Sequence, residues 1–160
     1  MRGLRAFSCA MLAVMLLLAQ GSMAQEKSSE SAASYVPGLG DMMAALQLRH
    51  AKLWYSAKVR NWDLAEYELR QLSANLKEAG RLYAKMPGWD LTATDTSAVL
   101  VAEALKARSA GKFELAFGQM TTACNSCHEA TNRAFILVRA PSRFSPFSNQ
   151  VFSPRGKDRR

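Results

Sequence analysis

A chain of 160 residues that is 49% hydrophobic and 21% charged has the balance of one globular domain and excludes a disordered polymer. The net charge of +8 is uneven: residues 139–160 hold Arg139, Arg143, Arg155, Lys157, Arg159 and Arg160 against Asp158 alone, whereas residues 25–138 are nearly neutral. Such a tail could steer the chain toward an acidic partner or a membrane surface, but a solvated terminus is the simpler and preferred reading. It lacks the interleaved aromatic platform that single-stranded nucleic acid requires, so no nucleic-acid partner is expected.

Arg2 and Arg5 precede an apolar run from Ala6 to Ala19, and Ser22-Met23-Ala24 follows with small residues where signal peptidase reads. Residues 1–24 are therefore expected to be a signal peptide, the mature chain starting at Gln25 in the periplasm. The run is shorter than the roughly 20 apolar residues of a spanning helix, so no stable membrane insertion is expected after cleavage. Loss of Cys9 with the leader leaves Cys124 and Cys127. Residues 25–38 begin polar and without periodicity, as a flexible leader does, and Pro37-Gly38 marks the entry to structure.

Leu39, Met43, Leu46, His50, Leu53 and Ala57 recur at steps of four and three, predicting a first helix that ends near Arg60. Asn61 is placed to cap a second, striped by Leu69, Leu72, Leu76, Ala79 and Tyr83 and stopped by Pro87-Gly88. A loop over 87–95 carries Trp89. Ala98, Val101, Ala102 and Leu105 then form a weaker stripe, ended by Gly111. A long last helix is predicted from Lys112 to Val138 along Phe113, Phe117, Met120, Cys124, Cys127, Thr131, Phe135 and Val138. No segment alternates as strands do. The expected fold is all-α, an antiparallel up-down-up-down four-helix bundle over 39–138. Pro141, Pro146 and Pro154 make the basic tail over 139–160 largely irregular, while Phe144, Phe147, Val151 and Phe152 predict that part of it lies back on the bundle.

Cys124-Asn125-Ser126-Cys127-His128 is the C-x-x-C-H pattern of covalent haem attachment. On a helix, positions i, i+3 and i+4 share a face, so two sulfurs can reach the porphyrin edge while the imidazole reaches the iron. The expected cofactor is one haem c, with Cys124 and Cys127 as thioethers and His128 as the proximal iron ligand. Three alternatives compete. A redox C-x-x-C pair belongs near a strand-to-helix junction, a disulfide across one helical turn is awkward geometrically, and zinc would have to gather Cys124, Cys127, His128 and His50.

An exported four-helix chain with this motif on its last helix resembles the class II c-type cytochromes, the cytochrome c prime group and its low-spin relatives. Ala110-Gly111-Lys112-Phe113-Glu114-Leu115-Ala116-Phe117, leading through Ala123 into the motif, is similar to that family's last turn and final helix. The family commonly carries Arg four residues after the haem histidine; here position 132 is Asn and Arg133 stands one residue late. The chain also continues well past the motif, and so resembles a divergent member.

The resemblance implies a sixth iron position filled by a methionine of the first helix or left open, and pairing of chains through their first helices as a possible homodimer. Met43 is the candidate by analogy. His50 is the other, favoured by comparing heights along antiparallel first and last helices. Arg49 could meet a haem propionate, although a solvated helix face is the preferred reading. Trp54, Trp62 and Trp89 are read as core. The expected function is single-electron transfer with an unidentified redox partner, a carrier rather than an enzyme. The alternatives are a gas-binding or sensing module with an open or displaceable sixth ligand and a haem-free helical metal-binding or interaction protein.

Overall fold

The computed structural model describes residues 35–141, 150 and 152–154. The expected signal peptide, most of the leader, and Phe144, Phe147 and Val151 lie outside the described residues. The compact unit Gly38–Arg160 contains four helices: α1 Leu39–Lys58, α2 Trp62–Leu82, α3 Thr92–Lys106 and α4 Ala110–Ala130. No strand occurs among the described residues. The fold is an all-α four-helix bundle with an irregular tail. α1 packs along α2 and α3 along α4, and contacts of α2 with α3 and of α1 with α4 close the ring.

Two short turns of the same construction join the closely packed pairs. After α1, Arg60 takes φ +59°; its N–H bonds Ala57 O, and the next N–H, of Asn61, bonds Ser56 O. After α3, Arg108 takes φ +49° with the matching bonds from its own N–H to Leu105 O and from Ser109 N–H to Ala104 O. These paired bonds satisfy the last carbonyls of a helix around one left-handed residue. Asn61 and Ser109 then cap the following helices, Oδ1 accepting from Leu64 N–H at 3.3 Å and Oγ from Lys112 N–H at 3.4 Å.

Three helix boundaries correct the sequence expectation, the first being that of α2, which ends at Leu82 rather than at Pro87-Gly88 and leaves Tyr83 as its C-cap. The last helix ends at Ala130, eight residues before Val138. Asn132 takes φ +59°, its N–H bonds Glu129 O, and Arg133 N–H bonds His128 O, the same terminating device a third time. Phe135, expected on the inward stripe, is 83% exposed because the helical period has stopped. α3 starts earlier than its apolar stripe and ends at Lys106, so Gly111 lies in the first turn of α4. Its buried residues include Thr94, Ser97 and Ala104, whereas Ala102 is exposed. Thr94 and Ser97 disguise the inward face; Ser97 spends its hydroxyl on Thr94 O at 2.9 Å.

The core gathers Leu53 of α1, Val101 and Leu105 of α3, and Phe113, Phe117 and Met120 of α4, all essentially inaccessible. Trp54 packs on Phe113 and Phe117 at centroid separations of 6.0 and 5.0 Å. Of the tail, Phe152 is buried against Tyr55 at 5.8 Å, and its carbonyl accepts from Asn61 Nδ2 at 2.9 Å.

Candidate functional site

At the end of the bundle away from the two short turns, the helices part around a cleft of about 380 Å³, within the ~300–1,000 Å³ of small-molecule and cofactor sites. One wall is Met43, Leu46 and His50 of α1 with Leu72 and Leu76 of α2; Met86, Trp89 and Leu91 of the α2–α3 loop form another. α4 contributes Cys124, Cys127 and His128, and the chain leaving it adds Thr131, Arg133, Ile136 and Val138. The surface is predominantly apolar. The five residues expected to carry chemistry, Met43, His50, Cys124, Cys127 and His128, thus line one cleft.

The chain after α4 explains the orientation of His128. The left-handed turn at Asn132 reverses the segment, and Ile136 N–H bonds Arg133 O at 2.8 Å. Ile136 O then lies 2.8 Å from His128 Nδ1. A carbonyl only accepts, so Nδ1 carries the proton and Nε2 keeps its lone pair for coordination. Asn125 holds the same segment with both ends of its amide: Nδ2 donates to Val138 O and Oδ1 accepts from Val138 N–H, each at 2.8 Å. Asn125 and Ile136 had no signal in the sequence, since their roles arise from a chain reversal that the helical period concealed.

Cys124 and Cys127 are free thiols, both half-buried. Burial first, and then the neighbouring Cys127, pushes Cys124 up to about 11; burial is also the main cause of the rise at Cys127. A redox C-x-x-C pair is activated by a lowered pKa at a helix N-terminus, whereas these thiols are held neutral in the last two turns of α4. The zinc alternative also lacks its assembly. Among the described residues no three His, Cys, Asp or Glu side chains converge to hold a metal ion.

His50 is buried beneath the cleft, its ring 4.3 Å from that of Phe117. Its Nε2 lies 2.9 Å from Thr121 Oγ1, and Thr121 donates its own hydroxyl proton to Phe117 O at 2.8 Å. The single hydroxyl proton being so used, His50 Nε2–H must be the donor, and Nδ1 carries the lone pair. Burial lowers its pKa to about 4, which keeps the ring neutral.

These contacts also set the register of α1 against α4. His50 faces Thr121, Trp54 packs on Phe113 and Phe117, and Lys58 pairs with Glu114. Continuing that antiparallel register places Met43 level with His128, with His50 about two turns away. The height comparison made from sequence pointed to His50 because it assumed that the last helix reached Val138.

Arg49 does not line the cleft. It pairs with Glu68 at 2.9 Å, a carboxylate with 1% residue exposure, and its guanidinium lies 5.9 Å from the Tyr67 ring centre. Trp62 is a core residue, as expected, and Trp54, only partly buried, packs against the core. Trp89 is on the cleft wall, and its Nε1–H is buried without an acceptor. Gly88, beside it, takes φ +78° and packs so closely on the Ala130 carbonyl that no Cβ would fit, which brings the loop against the end of α4.

A scan against protein-family models and searches of curated proteins and solved structures find no match to this chain.

Proposed function

We propose that the chain is a periplasmic monohaem c-type cytochrome, a divergent relative of the class II group, that carries single electrons. The observation that carries this reading is the combination at one wall of the cleft: Cys124 and Cys127 one helical turn apart, and His128 fixed by Ile136 O with Nε2 left to coordinate.

The donor set fits the group. Haem c, when bound, supplies a one-electron couple whose potential depends on its axial ligands, hydrogen bonding and burial. Cys124 and Cys127 would hold it covalently and His128 would ligate its iron. Leu46, Leu72 and Leu76 would exclude water and present a low-dielectric wall. The unpaired Trp89 Nε1–H offers a donor to an acceptor on the bound group, removing the cost of a buried unsatisfied N–H. Ile136 O increases the basicity of His128 by accepting from Nδ1–H. The register of α1 against α4 supports Met43 over His50 as the sixth ligand.

The chain produced with haem-attachment machinery should retain haem absorption after acid–acetone extraction, and Cys124→Ser/Cys127→Ser should lose it. Unretained colour in the parent chain rejects the reading. A Met43→Ala variant should convert a low-spin spectrum to high spin, whereas His50→Ala should not.

One observation favours a gas-binding alternative: His50 Nε2–H is already committed to Thr121, so this histidine cannot use that nitrogen while the bond persists. If Met43 is displaceable as well, carbon monoxide added to the reduced protein will shift the Soret band quickly. A six-coordinate carrier will leave it unchanged.

A further inference from the structure

Leaving α4, the chain places three large apolar residues at the surface in succession: Phe135 is 83% exposed, Ile136 45% and Leu137 76%. Ile136 lines the cleft, while its two neighbours do not, so Phe135 and Leu137 are the pair left to the outside. Their exposure is not that of a frayed end. Ile136 and Val138 are pinned to α4 through His128 and Asn125, so the segment between Arg133 and Arg139 has a defined base.

Along the chain, the charge on either side of this tip has one sign, although Asp90 of the α2–α3 loop also acts on the end of α4 near Cys127. Residues 131–143 contain Arg133, Arg139 and Arg143 and no acidic residue, and the remaining tail adds four basic residues against Asp158. Among the described residues no helix is long and apolar enough to cross a membrane, so any membrane association through the folded part must be peripheral. Two apolar anchors at a pinned turn, with exposed Arg139 next to them, combine the two elements of peripheral lipid binding: apolar insertion below the headgroups and attraction to anionic lipid. Arg133 instead lines the cleft, its guanidinium donating to Thr131 O at 2.7 Å. A lipid surface suits them better than a protein surface, because side chains that project with so little support from neighbours are enclosed on all sides when they enter a fluid interface.

We propose that Phe135 and Leu137, with the exposed Arg139, form a docking tip that seats the open end of the bundle on an anionic membrane surface. The tip shares its backbone with the clamp on His128, so docking brings the cleft mouth toward the membrane plane. This inference does not depend on which group fills the cleft.

Cosedimentation of the full chain, recovered from the periplasm of an expression host, tests it. Vesicles of phosphatidylcholine with phosphatidylglycerol should bind the protein in a salt-sensitive way, and pure phosphatidylcholine vesicles at least tenfold more weakly. Phe135→Ser/Leu137→Ser should lower binding to the anionic vesicles at least tenfold. Arg139→Gln should lower it about fivefold, the equivalent of one charge near an anionic surface. Circular dichroism of these variants should match that of the parent, since the altered side chains are exposed. Equal binding to both vesicle types, or binding that the double substitution leaves intact, overturns the proposal and assigns any adhesion to another segment. Absence of vesicle binding, with the double substitution instead changing self-association in sedimentation, overturns it in favour of a protein contact.

Discussion

The two ends of the bundle are made from helices of the same kind and differ in what lies between and beyond them. At one end, three-residue turns at 59–61 and 107–109 tie α1 to α2 and α3 to α4, and Leu53, Trp54, Phe113 and Phe117 fill the space between helices. At the other, α2 and α3 are joined by the longer loop 83–91, α1 begins, and α4 ends. The residues that meet there include Gly40, Ala44 and Thr94, too small to close the gap, and the cleft remains. An amphipathic stripe thus makes a helix face inward, but the volume of the side chains at each level decides whether the interior is filled.

The largest expected effect tests that difference in packing. Phe113→Ala removes a ring from the filled end and should destabilise the chain by about 3–5 kcal/mol in urea unfolding. Met43→Ala removes a side chain that already borders a void, and should cost less than about 1 kcal/mol in the same measurement. Comparable losses would mean that the open end collapses in solution.

Acid should act through the boundary between the two ends, where His50 is buried. Its folded pKa of about 4 lies below the ordinary 6.5, so the unfolded chain binds the extra proton first. Stability is therefore fully present above the unfolded value, falls as the pH drops from about 6.5 toward 4, and levels off below, with a total loss of about 3 kcal/mol from this group. His50→Phe should flatten that slope in thermal melts taken across the window. An unchanged slope would place the acid sensitivity on the carboxylates.

The filled end was the more legible in the sequence, for a physical reason. Leu53, Ala57, Phe113 and Phe117 are apolar, buried and spaced at the helical period, so pattern and packing agree. α3 was read short because Thr94 and Ser97 face inward with their hydroxyl chemistry satisfied locally. At the open end, the three site residues Cys124, Cys127 and His128 were visible as a motif, whereas the clamp by Ile136 and Asn125 was not. Phe135 and Val138 kept the apolar period about two turns too far, and a left-handed Asn132 announces a helix end less loudly than glycine. The cleft was illegible altogether, since an empty volume depends on which residues from separate helices share a level.

The loop that closes one side of the open end depends on Gly88. Alanine there would have to hold φ +78° and would run into the Ala130 carbonyl, so Gly88→Ala should cost at least about 1–3 kcal/mol. The displaced loop carries Trp89, and the tryptophan emission of the folded protein should shift with it. Full stability with unchanged emission would show that the loop is not anchored to α4. This effect should exceed that of substituting any exposed loop residue nearby, because relief requires moving backbone rather than a flexible side chain.

The smallest effect runs in the opposite direction and compares the helix ends themselves. Arg60, Arg108 and Asn132 all occupy left-handed conformations, a strain that glycine does not share. Glycine also adds freedom to the unfolded chain, so only part of the relief appears as stability. Arg108→Gly should raise the unfolding midpoint by the equivalent of about 0.5–1 kcal/mol. Asn132→Gly should give only a few tenths, because asparagine tolerates this conformation better than arginine. Equal gains at the two positions would imply that the arginine side chain at 108 contributes a contact whose loss offsets the relief. The ordering matters for the open end: if Asn132→Gly is nearly neutral in stability yet alters the absorption of the loaded protein, the turn after α4 acts through the orientation of His128 rather than through the fold.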